Sequence, residues 1–420
     1  MVSKKRGKKG KKELTRRDFL KRTSAATAAI AGSMVFGIPI VKAKEDPVKI
    51  AVLTDQSAGY ASLVKRDVDA VQMAIEDVGG KVLGSPILFT DRDHKNKPGI
   101  AAQKAKELYE KERVDAIFDV AQSACALAVS EQAKIHRKFF FSVSSGTTKH
   151  TREACNPYTF DWAYNDYMLA TSAGLWAAEH LGKKWFTITA DYAWGHDLFE
   201  HFTAALRKKG GTLVGNEMVA LGTSDFSPYL INAMNSGAEV LVLLNGGRDT
   251  NNSAKQAGEF GVKKKMKIVH CFLLAQQVAA VGAKVFGGNY GTVPWYWKSD
   301  NPGAKEFADE WMAKFDGRPN WMNAGTYSAA LQYLKAVKRA GTKKPGAVIE
   351  KLEGHTYRDL FNNPGYVRPE DHMAIADAHI IRAKREEEKA EKWDVFEFVG
   401  TVPAEEAYGP PSALCKMKKV

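Results

Sequence analysis

Beyond residue 43, this sequence of 420 residues has no apolar run long enough to cross a bilayer, which takes about 20 residues. No later transmembrane segment is therefore read. Cysteine is scarce, and Cys125, Cys155, Cys271 and Cys415 lack the paired spacing of a zinc site. Also missing are a Gly-x-Ser-x-Gly turn, a phosphate-binding Gly-x-x-x-x-Gly-Lys loop and a dinucleotide Gly-x-Gly-x-x-Gly pattern. These gaps remove the usual sequence grounds for a serine hydrolase, an NTPase or a nucleotide-dependent oxidoreductase. His196, Glu200 and His201 stand at offsets that fit neither zinc-protease motif, and a helix surface explains them. Asp371-His372 has no nucleophile beside it. Neither an enzyme nor a cofactor or metal is expected. The excess of positive charge is local: twelve of the 61 Lys/Arg and two of the 48 Asp/Glu fall in residues 1–43, so the net charge drops from +13 to +3 without them. A balance that near to neutral gives no support for nucleic acid as a partner.

Residues 1–43 read as an export signal. Thr15-Arg16-Arg17-Asp18-Phe19-Leu20-Lys21 looks like a twin-arginine motif, with a basic head before it and a weakly apolar stretch from Ala25 to Val41 after it. Val41-Lys42-Ala43 offers a small-residue cleavage site. The twin-arginine translocase is then a partner, and the mature chain from Lys44 reaches an oxidising compartment. One disulfide is expected there, Cys155 with Cys415, tethering the C-terminal tail. Cys271 lies in the apolar run Ile268 to Leu274 and reads as a buried thiol, while Cys125 is left open.

The mature chain alternates strands with helices. Lys49 to Thr54, Ile87 to Thr90, Val114 to Phe118 and Phe139 to Val143 are short apolar strands, each followed by helical periodicity. A second set begins at Trp185 to Ala190 and continues through Thr212 to Val214, Glu239 to Leu244 and Lys267 to Phe272. Ala378 to Ile381 reads as a last strand, and the charged run Arg382 to Lys392 as a solvated connection. The pattern predicts parallel sheets with right-handed crossovers in two similar α/β units facing each other across a cleft. Lys183 to Arg207 is the densest stretch, a buried strand feeding Asp191-Tyr192-Ala193-Trp194-Gly195 and then a helix. Ligands of open α/β sheets bind beyond the strand carboxyl ends, which makes Tyr192 and Trp194 binding candidates. The alternative is that both rings only seal the top of the sheet.

Four features, in this order and spacing, resemble the solute-binding proteins of ABC importers in the branched-chain amino acid (Leu/Ile/Val-binding) group: Asp91-Arg92-Asp93 before Pro98, Asp191-Tyr192-Ala193-Trp194-Gly195, Thr223-Ser224-Asp225-Phe226-Ser227, and Gly246-Gly247 after Asn245. The likeness runs from Val48 to about Ala383. It implies a periplasmic binding protein type I fold, two Rossmann-like lobes joined by three hinge crossings and closing on a small solute. Lobe 1 is expected to hold residues 44–162 and 292–366, lobe 2 residues 163–291 and 367–390, with 391–420 a tail packed on the lobes. An inner-membrane ABC permease is the implied partner, with the chain a monomer in the periplasm. A ligand sensor acting through a membrane receptor is the other function such a cleft would serve.

Carried over position by position, the resemblance implies first-lobe contacts from Tyr60, from Gln122 and Ser123, and from Ser144, Ser145, Gly146 and Thr147. It implies second-lobe contacts from Tyr192, Trp194, Arg248 and Asp249. A Ser before a helix and a Gly-Thr pair after a strand would also suit a carboxylate without any family argument, since free N–H groups gather there. The sequence departs from its relatives at Leu273-Leu274-Ala275-Gln276, where amino-acid-binding members present an acid to the ligand ammonium. Asp249 is a substitute for that acid, weakened by neighbouring Arg248, whose fork suits a second anionic group. The solute is therefore expected to be small and carboxylate-bearing, aromatic or amino-acid-like.

Overall fold

The computed structural model describes residues 46–418, and the export signal expected over residues 1–43 lies outside them. Two sheets carry the chain. The first is built from β1 (Val48–Thr54), β2 (Lys81–Val82), β3 (Ser85–Asp93), β4 (Ala116–Asp119), β5 (Phe139–Ser142) and β6 (Thr159–Asp161). Its order is β2-β3-β1-β4-β5-β6, parallel throughout except for the β2–β3 hairpin. Leu83 and Gly84 turn that hairpin with both φ positive, which matches the right-handed twist of the strands they join. Phe118 pairs in register with Phe141, and Phe141 with Phe160. Their rings stack at 5.0 and 5.2 Å, a ladder of aromatic contacts across three neighbouring strands at the centre of the core.

The second sheet takes β7 (Lys184–Ala190), β8 (Thr212–Val219), β9 (Val240–Leu244), β10 (Lys267–His270) and β11 (Tyr290–Val293). The chain then returns to the first lobe for helices Ala304–Lys314 and Trp321–Ala340 and a small sheet of β12 (Thr356–Tyr357), β13 (Gly365–Val367) and β14 (Ala374–Ile375). It crosses again to add β15 (Ala378–Ala383) and β16 (Phe396–Val402), giving the order β16-β15-β11-β10-β9-β7-β8.

Two expectations need correction. Residues 367–375, expected in the second lobe, pair into the small sheet beside β6, where Met373 bridges Asp161. Residues 396–402 do not belong to a tail laid over the lobes; they are the edge strand of the second sheet, antiparallel to β15. The inward residues of Phe-Glu-Phe-Val-Gly-Thr-Val explain this, because Phe396 packs its ring 5.2 Å from Tyr296 while Glu397 holds Arg382 in an ion pair. The charged connection before it is correspondingly bound down, with Arg382 also paired to Glu388 and Lys384 to Asp394. Beyond β16 a short helix, Ala404–Tyr408, leads to Cys415, which is joined to Cys155, while Cys125 and Cys271 are buried free thiols. No helix among the described residues is long and apolar enough to cross a membrane.

Candidate functional site

Both sheets reverse their direction of growth next to a central strand. In the first, β1 lies between β3 and β4; in the second, β7 lies between β8 and β9. Carboxyl ends of strands at such points diverge and leave a crevice. The loops after β1 and β4 on one side and after β7 and β9 on the other are the ones the sequence singles out.

After β1, the buried Asp55 carboxylate accepts the main-chain N–H groups of Ala58 and Tyr60, each at 2.7 Å, and this fixes the turn that presents Tyr60. The Tyr60 and Tyr192 hydroxyls face each other from the two lobes, close enough for each to shift the other's acidity; burial, helped by the charge of Asp55, sets Tyr60 above an ordinary phenol, against the downward pull of the Tyr192 contact. After β4, Asp119, Val120 and Gln122 all have positive φ, a conformation costly for non-glycine residues and most of all for a β-branched one. Gln122 spends its side-chain oxygen on the Cys125 N–H at 2.7 Å, so it is Gln122 that caps helix Ser123–His136, and Ser123 is half-buried in the first turn. Gln122 is thereby a scaffold for the loop and has its carbonyl group occupied.

The loop after β5 is buried along its length. Ser144 Oγ lies 3.5 Å from Asp67 Oδ2, and Asn323 Nδ2 donates to the other oxygen of Asp67 at 2.6 Å. Asp119, also fully buried, completes this polar knot: burial pushes its carboxyl up to about 6, against the pull of the Ser144 and Thr54 hydroxyls. Burial and the charge of Asp119 hold Asp67 well above the usual carboxylate range. Ser145 Oγ is buried with no partner. Thr147 Oγ1 accepts from Lys149 N at 3.4 Å and starts a short 3-10 turn.

Gly146 is the tightest point of the site. Its carbonyl accepts the Asp166 N–H at 2.7 Å. A Cβ added to it would stand 2.1 Å from Asp166 Oδ1 and 3.1 Å from Trp194 Nε1, so only glycine fits. From the other lobe Trp194 enters with its indole nitrogen toward this point and its six-membered ring against Gly246, 3.3 Å from where a Cβ there would lie. Trp194 thus spans the loops after β5, β7 and β9. Its ring meets Phe272 edge-on at 5.9 Å, and Phe272 in turn meets Trp321 at 5.5 Å, which stands 4.5 Å from Tyr164. With Tyr192 at 6.0 Å from Trp194, five rings form one chain of contacts beside the loops that end the strands.

The second-lobe polar candidates fare differently. Arg248 is exposed and in no ion pair among the described residues. Asp249 is buried, and its carboxylate accepts the Gly222 N–H at 3.0 Å, which commits it to holding the loop after β8. Leu274, at the place where an acid was missed, is fully buried and starts helix Ala275–Val281. The acid of this crevice is instead Asp166, which the sequence reading passed over. It is 1% exposed and its Oδ1 has no hydrogen-bond partner. Burial, followed by the negative charge of Asp197, pushes its carboxyl well up, while the Trp194 indole N–H works against them. Burial also acts upward on Asp197, but His201 and the Thr148 hydroxyl outweigh it and keep that carboxyl ionised. Two neighbouring carboxyls pushed in opposite directions are what mutual repulsion favours. Asp166, Phe272, Trp321 and Tyr164 gave no motif signal, because what defines them is burial against residues distant in the chain.

Residues 47–390 match the family model described as periplasmic binding protein. Among solved structures, a branched chain amino acid ABC transporter periplasmic ligand-binding protein from Burkholderia xenovorans LB400 is 35% identical, covering 88% of this chain and all of that one, with a TM-score of 0.83. A periplasmic binding protein from Burkholderia mallei is likewise 35% identical over the same shares, with a TM-score of 0.81. Leu/Ile/Val-binding protein homolog 6 of Brucella abortus (strain 2308) is 24% identical over 335 residues, 78% of this chain and 85% of that one.

Proposed function

The chain belongs to the periplasmic binding protein family, in its branched-chain amino acid group of ABC importer subunits, and from that premise we propose that it captures a small carboxylate-bearing solute in the crevice between Gly146 and Trp194. Proteins of this group bind small molecules and do not transform them. The observation that carries the carboxylate is a surplus of buried polar groups: Trp321 Nε1 and Ser145 Oγ have no acceptor among the described residues, and burial with the Asp197 charge pushes the Asp166 carboxyl well up, toward its proton-holding form. A buried donor left without an acceptor costs about 1–3 kcal/mol. An incoming carboxylate accepts from all three kinds of group and removes that cost.

The ring-lined wall, with Trp194, Phe272, Trp321 and Tyr164, favours a flat or apolar body on that carboxylate, whether an aromatic acid or an amino acid. An amino acid would bring an ammonium, and Asp166 is then the group that ionises to meet it. The Burkholderia xenovorans relative is named for branched-chain amino acids; the raised Asp166 carboxyl and the leucine at 274 favour an acid without an amine here. Export through the twin-arginine translocase, tail closure by Cys155–Cys415 and delivery as a monomer to an inner-membrane permease complete the proposal. Lobe 1 then comprises residues 44–162 and 292–375, and lobe 2 residues 163–291 with the strands from 378 onward.

Native mass spectrometry of protein purified without dialysis, followed by calorimetric titration with benzoate and with leucine, tests the reading. Binding of the acid with retention in Asp166→Asn is expected. Tight leucine binding with no response to the acid overturns it, and deletion of the gene without loss of uptake favours the sensor.

A further inference from the structure

The crevice is not the only place where the two lobes come together around unspent polar groups. On the side where the chain crosses between the sheets lies a hollow of about 330 Å³. Arg152, in the segment after β5, lines it from the first lobe, Tyr167 and His201 from two helices of the second, and Pro410 to Ala413 from the C-terminal tail. The tail is fixed at both ends. Gly409 lies so close to Tyr167 that a Cβ there would be 2.6 Å from its hydroxyl, and its carbonyl accepts Arg368 Nη1 at 2.6 Å. Six residues further on, Cys415 is bonded to Cys155.

The charges around the hollow are nearly all committed. Arg368 forks onto Asp371 through Nε at 3.0 Å and Nη2 at 2.5 Å. His201 is paired with Asp197 at 3.2 Å, and Asp197 also accepts from Thr148 Oγ1 at 3.1 Å. Arg152 is the most loosely held: its side chain is a third exposed, its guanidinium makes no hydrogen bond among the described residues, and its charge is met only by Glu153 at 3.9 Å and, at longer range, by Asp197. A guanidinium with no hydrogen bond, lining a hollow at the small end of ligand-pocket volumes, about 300–1,000 Å³, suits a planar or tetrahedral oxyanion.

We propose that this hollow is a second binding site, for a small oxyanion, with Arg152 as its anchor and the disulfide-held tail as its roof. The site is separate from the crevice at Trp194 and does not depend on what that crevice takes. Because its walls come from both lobes, an occupant that fits one lobe arrangement better than another shifts the equilibrium between them, and the solute in the crevice reciprocally shifts its affinity.

The test uses the full chain carrying Trp194→Ala, which weakens the crevice, with 4-iodobenzoate and inorganic phosphate as separate probes. Crystals soaked in 4-iodobenzoate are expected to show an iodine anomalous peak under the tail, or phosphate density beside Arg152; which arm responds names the source. In solution, Arg152→Gln is expected to weaken that probe at least tenfold, Arg152→Lys to restore part of it, and the Cys155→Ser/Cys415→Ser pair to weaken it several-fold with Arg152 intact. Thermal unfolding of each variant verifies that it is folded. Empty density under the tail with both probes overturns the proposal, as does occupancy that survives Arg152→Gln unchanged.

Discussion

The Asp166 main-chain N–H donates to the Gly146 carbonyl at 2.7 Å, so the first turn of a second-lobe helix is bonded to the loop that ends a first-lobe strand. The same pair leaves no room for a side chain at 146, since a Cβ would stand 2.1 Å from Asp166 Oδ1. Ligand loop and buried acid are thereby one unit.

Gly146→Ala is expected to force Asp166 and Trp194 apart. Overpacking of this kind costs about 1–3 kcal/mol. Urea unfolding should show that loss, and calorimetry a loss of solute binding; a variant as stable as the parent would mean the loop yields freely.

Trp194→Ala should weaken solute binding by about 1 kcal/mol or more, the scale of a buried aromatic contact. Trp194→Phe keeps the ring but removes the N–H beside Asp166, and is expected to fall between. Titration of the three proteins with the same solute checks the order, and an unchanged alanine variant returns Trp194 to a packing role.

The Asp67–Asp119 knot makes a pH prediction whose sign is fixed. Asp119 is raised to about 6 in the folded chain, whereas in the unfolded chain an aspartate titrates near 3.9. Between these values the folded state holds a proton that the unfolded state has lost, so this contribution to stability is complete below about pH 4 and disappears as pH rises through about 6. Asp67, coupled to it and raised for the same reason, adds in the same direction. Urea unfolding at pH 4.5, 6 and 7.5 should give a steeper fall for the parent than for Asp119→Asn. Parallel pH profiles would rule the knot out as the source.

The Cys155–Cys415 bond closes a loop with a sequence separation of 260 residues. Removing it by a double Cys→Ser change should cost about 2–5 kcal/mol. Differential scanning calorimetry with and without reductant checks this: reductant should lower the midpoint of the parent and leave the double variant where it was.

Much of the architecture was legible before any coordinates. Short apolar runs such as Phe139-Phe140-Phe141 and Val240 to Leu244 specify strands buried on both faces, and their alternation with helices specifies parallel sheets. Tyr192-Ala193-Trp194 announced itself because aromatic residues at a strand end have few local uses. The edge strand at Phe396 was hidden by the charged run before it, whose ion pairs exist only once β15 lies alongside.

The sequence alone determined which residues are strands, which loops end them, and that glycine must stand at 146 and 246 if those loops are to approach anything closely. Tertiary structure alone decided which polar groups remain unspent. Gln122, Asp249 and Asp166 are all side chains near strand ends, and nothing local separates them. Folding gives Gln122 the Cys125 N–H and Asp249 the Gly222 N–H, and leaves Asp166 Oδ1 buried with nothing to bond. Desolvation depends on every neighbour at once, so it becomes readable only when those neighbours are in place.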